Sequence, residues 1–311
     1  MAPQQTDTLT DTLTETPAET PAESPTLTPH EAALEKLFTR VSELSSLPQV
    51  AMQVIEIADD ETSTAEDLCS AVQGDPSLAV RVMRQVNSSY YSRRNRINDL
   101  KAAINVLGFR EMRNLALTIY VSRMFSDAGA YRNYNREGLW GHLVAVATTS
   151  QLIAKICGHV GPDEAYLAGL LHDMGMIVID QHMRRAFREV LDQVDEQMPT
   201  CVAERRVLTF DHCQLGGFIA ERWDLPPSTV SAIRYHHAPD RSDGEHGDLI
   251  HIVEMANYLC SRNGITSVGV HNVASPSDEA IARLGISEKQ LSSIYEQLEE
   301  TLEAADTLAA I

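Results

Sequence analysis

An all-α fold of two helical lobes is what the sequence predicts, on three observations. Apolar residues recur at three- and four-residue spacing from Leu34 to Leu302, caps and breakers fall between the runs, and no segment alternates with the period of a strand. Leu34, Leu37, Phe38, Val41 and Leu44 mark a first helix, which the Ser45 to Pro48 turn ends. A second is predicted from about Gln49 to Ala58, and Thr64 opens a third through Val72. Asp75-Pro76 reads as an N-cap with a first-turn proline, introducing Leu78, Val82 and Val86 on one face. Asn98-Asp99 caps the run Leu100, Ile104, Leu107, which Gly108 stops, and Met112, Leu115 and Ile119 carry the next helix to Phe125.

The second half continues in the same way. Helices are predicted over Leu139 to Cys157, Asp163 to Met174, Met176 to about Val194, and one or two over Cys201 to Trp223. Pro226-Pro227 starts a short helix ending near His236, Leu249 to Cys260 forms another, and Ser287 to Leu308 is an acidic amphipathic one. Without glycine-rich loops following strands, Rossmann and P-loop readings fail.

Domain bounds follow from these runs. Residues 1–30 are Thr, Pro and acids with almost nothing large and apolar, a composition expected to be disordered. Residues 31–262 read as one helical domain, with lobes at 31–125 and 131–262 joined by the polar stretch Ser126 to Ala130, and 263–311 as a linker and C-terminal helix.

The 311 residues carry 44 acidic and 25 basic side chains, a net charge of −19, which argues against a general nucleic-acid coat. Between Arg81 and Arg136, however, eleven Lys/Arg face three acids. Such a segment either attracts an anionic ligand or acidic partner, or pairs with the acidic remainder of the molecule. No run of about 18 apolar residues and no secretory leader is present, so a cytoplasmic protein without a membrane span is expected. The five cysteines (Cys69, Cys157, Cys201, Cys213, Cys260) are scattered and never in a CxxC pair; they read as reduced thiols, mostly small buried hydrophobes, and not as zinc ligands.

The chemistry-bearing residues are histidines. His142, His172-Asp173, His212, His236-His237 and then Asn257 fall in order along the predicted helices, at helix ends or on apolar faces. Imidazole and carboxylate from several helices of a bundle are a usual way to hold a divalent transition metal. Taken singly, His142 or His212 also reads as a hydrogen-bonded core residue; taken together, the pairs favour a shared metal site.

The segments LPQVAMQVIEIADD, CSAVQGDPSLAVRVMRQVNSSYY and INDLKAAINVLGFREMRNLAL resemble the first half of an HDOD domain, and LWGHLVAVAT, AYLAGLLHDMG, FDHCQLGGFIAERWDLP and AIRYHH its HD-like second half. The resemblance spans Leu44 to Cys260 and implies a helical output module related to HD phosphohydrolases. It implies one or two divalent metal ions on His142, His172, Asp173, His212, His236 and His237. Two positions depart from metal-dependent relatives: Asn257 stands where a closing aspartate is usual, and the run His172-Asp173-Met174-Gly175-Met176 lacks the usual lysine. No Gly-Tyr-Pro follows His237, unlike enzymes that cleave cyclic di-GMP. The expected function is a non-catalytic signalling module that meets an unidentified protein partner, with no residue assigned as catalytic. The alternative is a metal-dependent phosphohydrolase acting on a nucleotide or phosphodiester, and a nucleotide stays open as a ligand. No receiver, EAL or GGDEF-like segment is recognised in the chain, so the partner is expected to be a separate protein.

Overall fold

Short polar side chains set the helix starts. In the computed structural model Thr64 accepts the backbone N–H of Asp67 while Asp67 reaches back to Thr64, and Asp75 accepts from Ser77 and Leu78. Each carboxylate or hydroxyl satisfies donors that a first helical turn leaves free. The structure describes residues 29–44, 48–60, 62–88, 96–127, 129–271 and 273–309. The disordered-tail expectation therefore falls on residues 1–28, outside the described ones, while Pro29 and His30 open the first helix. The chain divides into two units, residues 1–37 and 38–311. Of the first, the described part is helical.

Among the described residues the fold is all-α apart from one small hairpin. Helix α1 spans Pro29–Leu44, followed by α2 (Gln49–Asp59), α3 (Ala65–Gln73), α4 (Pro76–Val86), α5 (Leu100–Leu107) and α6 (Phe109–Ser122). Leu68, Val72, Leu78, Val82, Ile104, Met112 and Ile119 from α3 to α6 close one apolar core together with Val54 of α2. A 3-10 turn at Arg123–Phe125 then leads to the antiparallel pair β1 (Ala130–Tyr131) and β2 (Tyr134–Asn135). This hairpin departs from the strand-free expectation. Arg132 takes a positive φ of 53° at its tip, and two-residue strands are too short to leave an alternating signal.

The second lobe runs α7 (Arg136–Cys157), α8 (Pro162–Leu171), α9 (Met174–His182), α10 (Arg184–Leu191), α11 (Thr200–Leu208), α12 (His212–Arg222), α13 (Pro227–Tyr235) and α14 (Gly247–Arg262). Helices α15 (Asp278–Leu284) and α16 (Glu288–Ala309) follow, the latter packed along α7. Two element expectations are corrected. The single helix over Met176 to Val194 is broken at Met183, which leaves helical geometry without a glycine or proline to announce it. The linker after residue 263 contains α15, capped by Ser277 and stopped by Gly285. The lobes meet where the Thr118 and Tyr166 hydroxyls lie 2.9 Å apart and Asn114 donates to the Asp163 carbonyl.

Part of the basic segment pairs internally. Lys101 meets Glu66, Arg123 meets Asp75 at 3.3 Å, Arg132 meets Asp192 at 2.7 Å, and buried Arg136 meets Asp180 at 2.6 Å.

Candidate metal centre

Two glycines let the helices of the second lobe approach closely enough to bring the histidines together. A side chain at Gly169 of α8 would stand 2.8 Å from the Ala147 Cα and the Val146 carbonyl of α7, so only glycine allows these helices to touch there. A Cβ at Gly175 would come within 2.1 Å of the His212 carbonyl oxygen. That contact seats the start of α9 on the start of α12.

His142 sits inside α7, His172 and Asp173 lie between α8 and α9, His212 is the first residue of α12, and His236 and His237 follow α13. All six converge. Around Asp173 the imidazole Nε2 atoms stand at 3.0 Å (His212), 3.3 Å (His172), 3.3 Å (His236) and 3.6 Å (His142). The His237 ring centre lies 4.2 Å from that of His236 and 5.3 Å from that of His212. His142, His172 and His212 are 0% exposed, Asp173 and His236 1%, while His237 reaches solvent.

The tautomers follow from the far nitrogens. Nδ1 of His142 faces the Ile265 carbonyl at 2.8 Å, that of His172 the Gly169 carbonyl at 2.7 Å, and that of His236 the Ile233 carbonyl at 2.9 Å. A carbonyl only accepts, so each Nδ1 carries a proton and Nε2 is the ring nitrogen left facing Asp173. His212 is held differently: its Nδ1 lies 2.6 Å from Glu204 Oε2, which also accepts its backbone N–H. Carboxylate buttressing of an imidazole is common behind metal ligands.

Four imidazole nitrogens thus crowd one buried carboxylate, His212 Nε2 standing nearest. His142 Nε2, His172 Nε2 and both Asp173 oxygens have no hydrogen-bond partner among the described residues, although all are buried. Buried acceptors are expensive to leave unpaired, and a divalent cation would satisfy the whole set. The residues fit such an ion in two overlapping groups that share Asp173: His142 with His172, and His212 with His236 and His237.

The electrostatics agree. Burial pushes Asp173 up, but the fields of His172 and His212 outweigh it and hold the carboxyl well below the usual range. Burial, with His172 alongside, pushes His142 down to about 4, and burial lowers His236 as well. Burial would also lower His212, yet Cys213 and Glu204 beside it keep its affinity for a proton well above the ordinary value. A proton on His212 and a cation on Asp173 answer the same need for positive charge.

Asn257 is buried on α14, its Oδ1 3.4 Å from the Ser261 hydroxyl, and Met176 is buried on α9. Three neighbours were not expected from sequence: Glu204, Cys201 and Cys213. Glu204 lies eight residues before His212, across the turn between α11 and α12, where helical spacing says nothing about contact. Cys201 and Cys213, read from sequence as plain hydrophobes, are buried beside His212, with Cys213 Sγ 3.4 Å from its Nε2. The adjacency of Cys213 to His212 was the one available signal.

The HDOD domain profile matches residues 44–239. A solved HDOD domain protein of unknown function from Geobacter sulfurreducens superposes with a TM-score of 0.72 at 24% identity, over 88% of this chain and 99% of that one. A candidate signal transduction protein from Marinobacter aquaeolei VT8 gives 0.71 at 25% identity, over 92% and 66%. A candidate phosphohydrolase from Shewanella amazonensis SB2B gives 0.67 at 20%, over 88% and 97%, a likeness of fold alone. An uncharacterized protein of Treponema pallidum (strain Nichols) is 23% identical over 220 residues, which are 70% of this chain and 42% of that protein. The chain thus spans under half the length of that curated relative.

Proposed function

The chain belongs to the HDOD domain family, and from that premise we propose that it is a cytoplasmic regulatory module that acts through contact with a signalling protein and uses its histidine–aspartate cluster as a cation-stapled core. One observation carries the reading: five of the six candidate ligands are no more than 1% exposed, so the cluster meets solvent only at His237. A divalent ion held by these residues would polarise a phosphoryl oxygen and acidify a water. Hydrolysis also needs a group to bind and orient the phosphate. At the position where relatives carry a lysine, Met176 is buried and apolar, and Asn257 brings no charge. A neighbouring cavity of about 630 Å³, lined by Trp140, Gly141 and Ile265 among others, has none of the six residues in its wall. Among the described residues no helix is long and apolar enough to cross a membrane.

The second reading, a metal-dependent phosphohydrolase for a nucleotide or phosphodiester, draws on the exposure of His237 at the mouth of the cluster. Turnover of a generic phosphodiester and of cyclic dinucleotides, measured with manganese or zinc present, separates the two. No turnover is expected, with His172→Ala and Asp173→Ala lowering thermal stability or partner binding. Hydrolysis by the unmodified chain that both substitutions abolish would establish the enzyme instead.

A further inference from the structure

Cys201 and Cys213 have no part in the reading above, yet they are placed as ligands. Cys201 lies in the first turn of α11 and Cys213 in the first turn of α12, and the packing of these turns brings their sulfurs to 3.9 Å. Cys201 Sγ is 3.9 Å from His212 Nδ1, and Cys213 Sγ is 3.4 Å from His212 Nε2. One donor atom from each of Cys201, His212, Cys213 and His237 lies within 4.8 Å of all the others. Around tetrahedral zinc, Zn–S bonds of about 2.3 Å place two sulfurs about 3.8 Å apart. The observed separation matches that edge.

We propose that Cys201, His212, Cys213 and His237 form a thiolate site for a soft tetrahedral divalent ion of the zinc class. Two sulfurs and two imidazoles select such an ion over magnesium, calcium or manganese, which prefer oxygen. Both thiols are buried, and exposed His237 gives the ion its way in from solvent. Binding exchanges two S–H protons, released to solvent, for two S–metal bonds, and no electrons are transferred. His212 Nδ1 is engaged by Glu204, so Nε2 is the ligand, the same atom that stands 3.0 Å from Asp173. An ion on the thiolates and an ion on Asp173 therefore compete for His212. That competition, unlike the thiolate site itself, rests on the reading of the Asp173 cluster as cation-binding.

Cobalt(II) substituted for zinc in the full chain tests the site, because thiolate ligation gives sulfur-to-cobalt charge-transfer absorption in the near ultraviolet. One equivalent is expected to produce this band and zinc to abolish it. Cys201→Ser and Cys213→Ser should each weaken the band and together remove it, and His142→Ala should leave it intact. X-ray absorption at the zinc edge of the unmodified chain supplies a reading free of any folding defect, with two sulfur scatterers expected at about 2.3 Å. Only nitrogen and oxygen scatterers, or a cobalt band that survives the double Cys201→Ser, Cys213→Ser substitution, would overturn the proposal. Manganese affinity in His142→Ala, expected to fall, reports on the Asp173 cluster alone.

Discussion

The interior of α3 to α6 and the interior of α7 to α14 are both buried, and they are closed by opposite means. In the first, Leu68, Val72, Leu78, Val82, Ile104, Met112 and Ile119, at most 1% exposed, pack as one apolar cluster. In the second, a carboxylate and four imidazoles occupy the centre at the same degree of burial. Apolar packing spreads its stabilisation over many interchangeable contacts. A polar centre concentrates it in a few atoms whose partners must all be present, because each unpaired one costs a desolvation penalty. The two lobes should therefore answer differently to the same perturbations.

The largest difference is expected from a cavity. Leu78→Ala in the first core should cost about 2–5 kcal/mol in urea unfolding, and that loss should be the same with a divalent ion or a chelator present. An ion-dependent loss would mean that the cores are not separate in energetics. Next in size is the buttress of His212. Glu204→Gln keeps the volume and a hydrogen-bond acceptor but removes the charge, and should weaken divalent-ion binding about 10- to 100-fold by calorimetry. Unchanged affinity would remove Glu204 from the site.

How much of this contrast the sequence discloses depends on the range of the forces involved. The caps at Thr64 and Asp75 and the core stripe of Leu78, Val82 and Val86 are local, so they can be read from spacing. The six metal-site candidates were legible because each motif is short and resembles a known order. Glu204, Cys201 and the break at Met183 were not, since contacts across a turn between helices leave no periodic trace. The hairpin at 130–135 was missed for a related reason, its strands being shorter than one full alternation.

The smallest expected effect is acid sensitivity in the first lobe. Burial pushes Asp75 up, but the backbone N–H groups of Leu78 and Ser77, the Ser77 hydroxyl and Arg123 bring it down to about 2, from an ordinary 3.8. The folded state therefore holds its proton less tightly than the unfolded state. This stabilisation is fully present above about pH 4 and is lost as the pH falls toward about 2. Partial exposure limits it to about 1–2 kcal/mol. Asp75→Asn should flatten stability against pH across that window, and an unaltered acid limb would assign the sensitivity elsewhere.

The seating of Gly175 on the His212 carbonyl has a consequence in time. The cluster joins positions from 142 to 237, so its last ligands meet only after loops of tens of residues have closed, whereas each helix forms from neighbours. A collapsed intermediate with α8 and α12 already helical but not docked would show helical circular dichroism and hold no ion. During refolding, ion uptake should lag behind helix formation and coincide with the docking of α9 on α12, making the bound ion a clock for the final step of assembly.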